Sequence, residues 1–99
     1  MAITEAEAHA IARAHIDRVC VDVPDGVAIV PEATLRKAYG WVFFYESLEH
    51  LRTGDPLLAL GGNGPVVVDL DGEVHQLGTG RALEAMLADL EARYPSPPR

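Results

Sequence analysis

The sequence predicts an α+β domain in which a small antiparallel sheet of about four strands packs against an N-terminal and a C-terminal helix. Apolar residues recur at helical spacing near both ends of the chain. Short runs rich in valine and aromatic residues lie between them, and residues 66–77 have the pattern of a hairpin. The 99 residues, 48% of them hydrophobic, suffice for one core. We therefore expect a single domain over residues 1–94.

The first helix is predicted from about Glu5 to about Cys20. Thr4, followed three residues later by Glu7, is a capping-box pattern. The sequence VDVPDG at 21–26 ends the helix, because its proline cannot continue one and Asp-Gly is a turn pair. The residues on one face are Ala8, Ile11, Ala12, His15, Ile16 and Val19.

Extended segments are predicted next. Residues 27–30 start a strand, and Pro31 either ends it or forces an edge or a bulge. An extended piece at 34–38 leads to Gly40, which marks a turn or bulge before an aromatic strand at 39–45.

Turn-forming residues separate the following elements. Residues 47–53 are weakly helical and end at the turn formers of 54–56. LLAL at 57–60 is a short strand or a buried turn, and GGNGP at 61–65 is a loop.

The hairpin has two registers that the pattern does not separate. A two-residue loop at Asp71-Gly72 pairs Leu70 with Glu73. A three-residue loop pairs Asp69 with Glu73 instead and exchanges the two faces.

The last helix has Thr79 as its N-cap and ends before Pro95. Residues 95–99, PSPPR, are predicted to be a disordered tail. The helix places these residues on one face: Leu83, Met86, Leu87, Leu90 and Tyr94.

The composition limits the partners and the compartment. The formal charge of -7 disfavours binding to the phosphates of nucleic acid and would attract a basic protein partner instead. On composition alone, the favoured interpretation is that this charge simply keeps a small protein soluble. No segment approaches the roughly 20 apolar residues of a membrane span, and the N-terminus is acidic, unlike a signal peptide. We expect a cytoplasmic protein without a membrane partner. The single cysteine, Cys20, excludes an internal disulfide and fits a reducing compartment.

No motif for catalysis or for a cofactor is found, so we expect neither an enzyme nor a bound metal. Cys20 lies at a helix C-terminus, where the dipole disfavours a thiolate. Asp69, Asp71 and Glu73 could hold calcium weakly, but a solvated turn is favoured. The histidines do not fall at metal-ligand spacing, and these are His9, His15, His50 and His75.

Residues 39–45, YGWVFFY, hold five of the six aromatic residues of the chain. On a strand, Tyr39, Trp41, Phe43 and Tyr45 would point one way, and Val42 and Phe44 the other. Either both faces are covered, or part of the aromatic row is accessible to a partner. Two helices can hardly cover both faces of a four-stranded sheet, which favours an accessible part of the row. On the pattern alone we still expect core packing for most of these residues, with Tyr39 and Tyr45 as the exceptions.

Several segments resemble one known family, the YrhB-domain family, also called immunity protein 35. They are GWVFFYES at 40–47, LRTGD at 51–55, GNGPVVVD at 62–69, DGEVHQLGT at 71–79 and the closing amphipathic helix. The resemblance implies a small bacterial α+β protein of polymorphic-toxin systems that binds and neutralises a cognate toxin domain in the cytoplasm, without catalysis. It also implies an alternative, a small heat-stable chaperone of the holdase type. The matching motifs are structural, so the family adds no functional residue.

A toxin-binding protein needs an accessible surface, and the aromatic segment with its acidic neighbours is the candidate. The predicted partner-binding residues are Tyr39, Trp41, Tyr45, Glu46 and Glu49. The sheet also has unpaired edge strands, through which two copies of the chain could pair to form a homodimer.

Overall fold

The computed structural model describes residues 2–23, 26–54, 64–78 and 82–93. Several predicted features lie outside these residues: the Pro-Asp of the turn at 21–26, the end of the turn at 54–56, the apolar segment 57–60, most of the loop at 61–65, the Thr79 cap, Tyr94 and the tail.

The described elements confirm the predicted α+β class. The helices are α1 (Glu5–Val19), α2 (Leu48–Thr53) and α3 (Leu83–Arg93), with a 3-10 turn at Pro31–Ala33. The strands are β1 (Val27–Ile29), β2 (Leu35–Lys37), β3 (Gly40–Phe43), β4 (Tyr45–Ser47), β5 (Val66–Asp69) and β6 (Val74–Gln76). Within the described residues, no helix is long and apolar enough to span a bilayer.

The predicted capping box starts α1. The Thr4 hydroxyl accepts the Glu7 N–H at 3.1 Å, and the Glu7 carboxylate accepts the Thr4 N–H at 2.9 Å. Two of the four otherwise unpaired N–H groups of the first turn are thereby satisfied. The buried stripe of α1 ends at Ile16, because Val19 is 53% exposed. The predicted apolar face therefore does not stay buried as far as Val19.

Four strands form the main sheet, in the antiparallel order β2-β3-β5-β6, and β1 pairs with β4 in a separate two-stranded sheet. The aromatic segment is consequently split between two sheets at Phe44, and the prediction of one continuous strand is wrong. The Phe44 carbonyl accepts the Val30 N–H at 2.8 Å, which joins the break to the end of β1.

Both faces of the main sheet are covered, one by each terminal helix, so the expectation that two helices cannot do this is wrong. The strands have three or four residues and are about 10–13 Å long, whereas the 15 residues of α1 span about 22 Å. One helix per face is enough. The α1 side buries Ala8, Ala12 and Ile16 against Phe43, Val66 and Val68. The α3 side buries Leu87 and Leu90 against Tyr39, Val42 and Val67.

The hairpin of β5 and β6 adopts the register with the three-residue loop. Val67 lies opposite His75, and the Asp69 N–H donates to the Glu73 carbonyl at 3.0 Å. Gly72 closes the loop with a φ of +89° and donates its N–H to the Asp69 carbonyl at 3.0 Å. A glycine is favoured there because other residues rarely adopt this backbone conformation.

Candidate partner-binding surface

The short helix α2 is fixed at both ends by the residues that the sequence provides. The Ser47 hydroxyl accepts the His50 N–H at 3.0 Å, and Gly54 ends the helix with a φ of +73°. The Leu48 N–H donates to the Gly26 carbonyl at 3.1 Å. This bond joins the start of α2 to the segment that follows α1.

Two leucines of α2 are exposed, which the sequence analysis did not anticipate. Leu48 is 43% exposed and Leu51 is 47% exposed. They are three residues apart, so they lie on the same side of the helix. Near the end of α1, Val19 is 53% and Val21 is 77% exposed. The spacing of the two leucines in SLEHLRT places them on one side of a helix. In so short a helix, this spacing does not indicate whether that side is buried or exposed.

Three of the five predicted binding residues lie on β4 and α2, next to these leucines. Tyr45 is half-buried, and its hydroxyl accepts a bond from the Gln76 amide at 3.5 Å. The Glu46 carboxylate accepts the Ser47 N–H at 2.9 Å, and Glu49 pairs with Arg52. We define the β4–α2 surface by these residues: Tyr45, Glu46, Leu48, Glu49 and Leu51.

The other two predicted binding residues lie elsewhere. Tyr39 is only 4% exposed and packs on the α3 side of the sheet, so the expectation that its side chain is accessible is wrong. Tyr39 belongs to the turn before β3, where the alternation of a strand does not hold. Burial, followed by the nearby Glu91 carboxylate, raises the pKa of its hydroxyl. Trp41 is half-buried, lies opposite Val68 and Arg36, and packs against the α1-side core.

Cys20 is a packing residue. Its side chain is 7% exposed, and burial, followed by the Asp17 carboxylate, raises the pKa of its thiol. We expect the native thiol to react with iodoacetamide at pH 8 at least about tenfold more slowly than a small free thiol. Mass spectrometry of timed samples measures the rate, and the same reaction in denaturant is the control. Equal rates in the native and the unfolded protein would contradict this assignment.

The hairpin tip contains a cluster of three side chains that the sequence analysis did not bring together. Asp69 is 1% exposed, so the solvated turn expected at this residue is wrong. One carboxylate oxygen, Oδ1, accepts the N–H groups of Asp71 and Glu73 at 2.9 and 3.0 Å. The other, Oδ2, lies 3.0 Å from His75 Nε2. Burial alone would raise the pKa of Asp69, but the hydrogen bonds from His75 and the two backbone groups outweigh it and lower the pKa.

Among the described residues, the one group with metal-binding side chains close together is Asp69, Glu73 and His75, whose ligand atoms lie within 4.8 Å of one another. The other described histidines have different surroundings. His15 Nε2 lies 2.8 Å from the Gln76 amide oxygen, and the His9 ring forms a T-shaped pair with Phe43 at a centroid distance of 5.8 Å.

Comparisons with known proteins identify the family. The chain is 46% identical over 59 residues to the uncharacterized protein YrhB of Escherichia coli (strain K12). That alignment covers 59% of this chain and 63% of YrhB. No solved structure matches the chain. The sequence profile described as immunity protein 35 matches residues 6–92. The chain therefore belongs to the immunity protein 35 family.

Proposed function

We propose that this protein neutralises a cognate toxin domain in the bacterial cytoplasm by binding it stoichiometrically, without catalysing a reaction. The observation that carries the proposal is the family match over residues 6–92. A stoichiometric inhibitor needs a stable scaffold and one complementary surface, and it needs no catalytic residue. The hydrophobic cores on both faces of the main sheet support the need for a stable scaffold.

We assign the toxin contact to the β4–α2 surface, with Trp41 of β3 as a further candidate. Leu48 and Leu51 provide apolar area, and Tyr45 adds an aromatic ring with a polar tip. Exposed apolar side chains near acidic groups resemble the centre and rim of a protein interface. Tyr39, the fifth predicted binding residue, is assigned a supporting role in the core.

The charge of the chain favours a basic partner. Fifteen acidic residues outnumber eight basic ones, which gives the formal charge of -7. A field of this sign accelerates the encounter with a positively charged domain and repels nucleic acid. The association rate is therefore expected to fall as the salt concentration rises, because salt screens charges on exposed surfaces.

A paired substitution tests the surface. Leu48→Ser with Leu51→Ser removes exposed apolar area, so the fold is expected to persist while the amount of the dominant partner captured from the producing cells falls by about tenfold or more. A second variant, Tyr45→Ala with Glu46→Lys, is expected to weaken capture too. Glu84→Lys on the exposed side of α3 is the control for a changed charge. Undiminished capture by both paired variants would place the interface elsewhere.

The exposed apolar residues also fit the alternative, a holdase chaperone. Leu48, Leu51, Val19 and Val21 offer the kind of surface on which unfolded chains bind weakly. The two functions differ in what is captured. A holdase binds many clients in small amounts, and more of them after heat shock, whereas an immunity protein binds one partner at a fixed ratio.

A further inference from the structure

The register of the hairpin brings three metal-ligand side chains to one face of the sheet. Residues that lie opposite each other on antiparallel strands point to the same side. Asp69 lies opposite Glu73, and His75 is two residues further along β6. The alternative two-residue loop would have placed Leu70 opposite Glu73 and turned Asp69 to the other face.

The positions of the ligand atoms fit a small divalent ion. Asp69 Oδ2 and His75 Nε2 are 3.0 Å apart. Neighbouring ligands of a tetrahedral Zn²⁺ with bonds of about 2.0 Å are about 3.3 Å apart. An ion bound beside the line between these two atoms, after loss of the shared proton, would require them to move apart by only about 0.3 Å. Glu73 is exposed, and its carboxylate lies within the 4.8 Å that encloses all three ligand atoms.

The backbone holds the buried ligand in place. Asp69 Oδ1 is engaged by two backbone N–H groups, which leaves Oδ2 directed toward His75. The loop itself is anchored, because the Leu70 N–H donates to the Tyr39 carbonyl and the Leu70 carbonyl accepts the Ile3 N–H, both at 3.0 Å. Carboxylates whose second oxygen is hydrogen-bonded in this way are typical of metal sites in proteins.

We propose that Asp69, Glu73 and His75 bind a divalent transition-metal ion of the Zn²⁺ type at the tip of the β5–β6 hairpin. The imidazole nitrogen favours such an ion over Ca²⁺ and Mg²⁺, which prefer oxygen ligands in larger number. Three protein ligands leave a fourth position for water. The ion would cross-link the two strands at the loop end of their ladder, so binding stabilises the folded state.

Calorimetric titration of the untagged, chelator-treated protein with Zn²⁺ tests the site. We expect saturable binding of one ion per chain and a rise in melting temperature with Zn²⁺, but not with Mg²⁺ at the same concentration. Glu73→Gln and His75→Gln are each expected to lower the affinity by about tenfold or more. His50→Gln, on α2, is the control and keeps the affinity of the wild type.

Two results would overturn the proposal. One is the absence of saturable Zn²⁺ binding by the folded protein. The other is unchanged affinity in Glu73→Gln, which is expected to fold because Glu73 is exposed and the substitution keeps the backbone N–H that donates to Asp69. Circular dichroism without metal confirms the fold of each variant, so a loss of affinity is attributed to the ligands and not to unfolding.

Discussion

Replacing Gly40 with alanine is expected to destabilise the domain by about 3 kcal/mol or more, because the substitution adds both backbone strain and a steric clash. A Cβ at this position would lie 2.2 Å from the Val68 carbonyl oxygen and 2.7 Å from Asp69 Cα. These are backbone atoms of β5, the neighbouring central strand, so they cannot move aside as a flexible side chain would. The φ of +151° also disfavours any residue with a Cβ.

The control for this variant is Gly54→Ala at the end of α2. Gly54 also has a positive φ, +73°, but a Cβ there would meet nothing within 4 Å. We expect a loss of about 1 kcal/mol, from the backbone conformation alone. Urea denaturation of both variants measures the difference in the free energy of unfolding. Equal losses would contradict the close approach of β3 to β5.

Phe43→Ala is expected to lower the free energy of unfolding by about 3–5 kcal/mol, the cost of leaving a cavity in place of a buried aromatic ring. Phe43 is 1% exposed and is among the largest fully buried side chains of the described residues. It packs in the core between α1 and the sheet, where its ring and the His9 ring form a T-shaped pair. Helix α1 and strand β5 would both lose contacts with it.

The adjacent Phe44 provides a matched control for Phe43. It has the same side chain but is half-buried and lies at the break between β3 and β4, on the opposite side of the sheet. We expect Phe44→Ala to cost less than half as much as Phe43→Ala, because less apolar area leaves water at this position. Similar losses in thermal and urea unfolding would show that the burial of the aromatic segment is assigned incorrectly.

Features that depend on neighbouring residues in the chain could be predicted from the sequence. The capping box of Thr4 and Glu7, the helices at the two ends and the existence of the hairpin all follow from local spacing. The split of the aromatic segment could not be predicted in this way. It depends on which distant strand each half pairs with, since β3 joins β2 and β5 whereas β4 joins β1.

The candidate sites also depend partly on contacts between distant residues, which the sequence alone did not predict. Tyr45, Glu46 and Glu49 are predicted binding residues on the basis of their sequence neighbourhood, and the structure places them on the consecutive elements β4 and α2. The prediction that the Tyr39 side chain is accessible was wrong, because Tyr39 lies in a turn and packs on the α3 side of the sheet. The proximity of Asp69 to His75 required the hairpin register, and two registers fitted the hydrophobic pattern equally well.

Neutralisation by stoichiometric binding can be measured through the growth of cells that express the captured partner. We expect that this protein captures one partner at about a one-to-one ratio, as quantified by mass spectrometry. Expression of that partner alone should stop growth, co-expression of this protein should restore it, and the Leu48→Ser, Leu51→Ser variant should fail to do so. A captured partner that is harmless alone, or many clients in small amounts that increase after heat shock, would contradict neutralisation by stoichiometric binding.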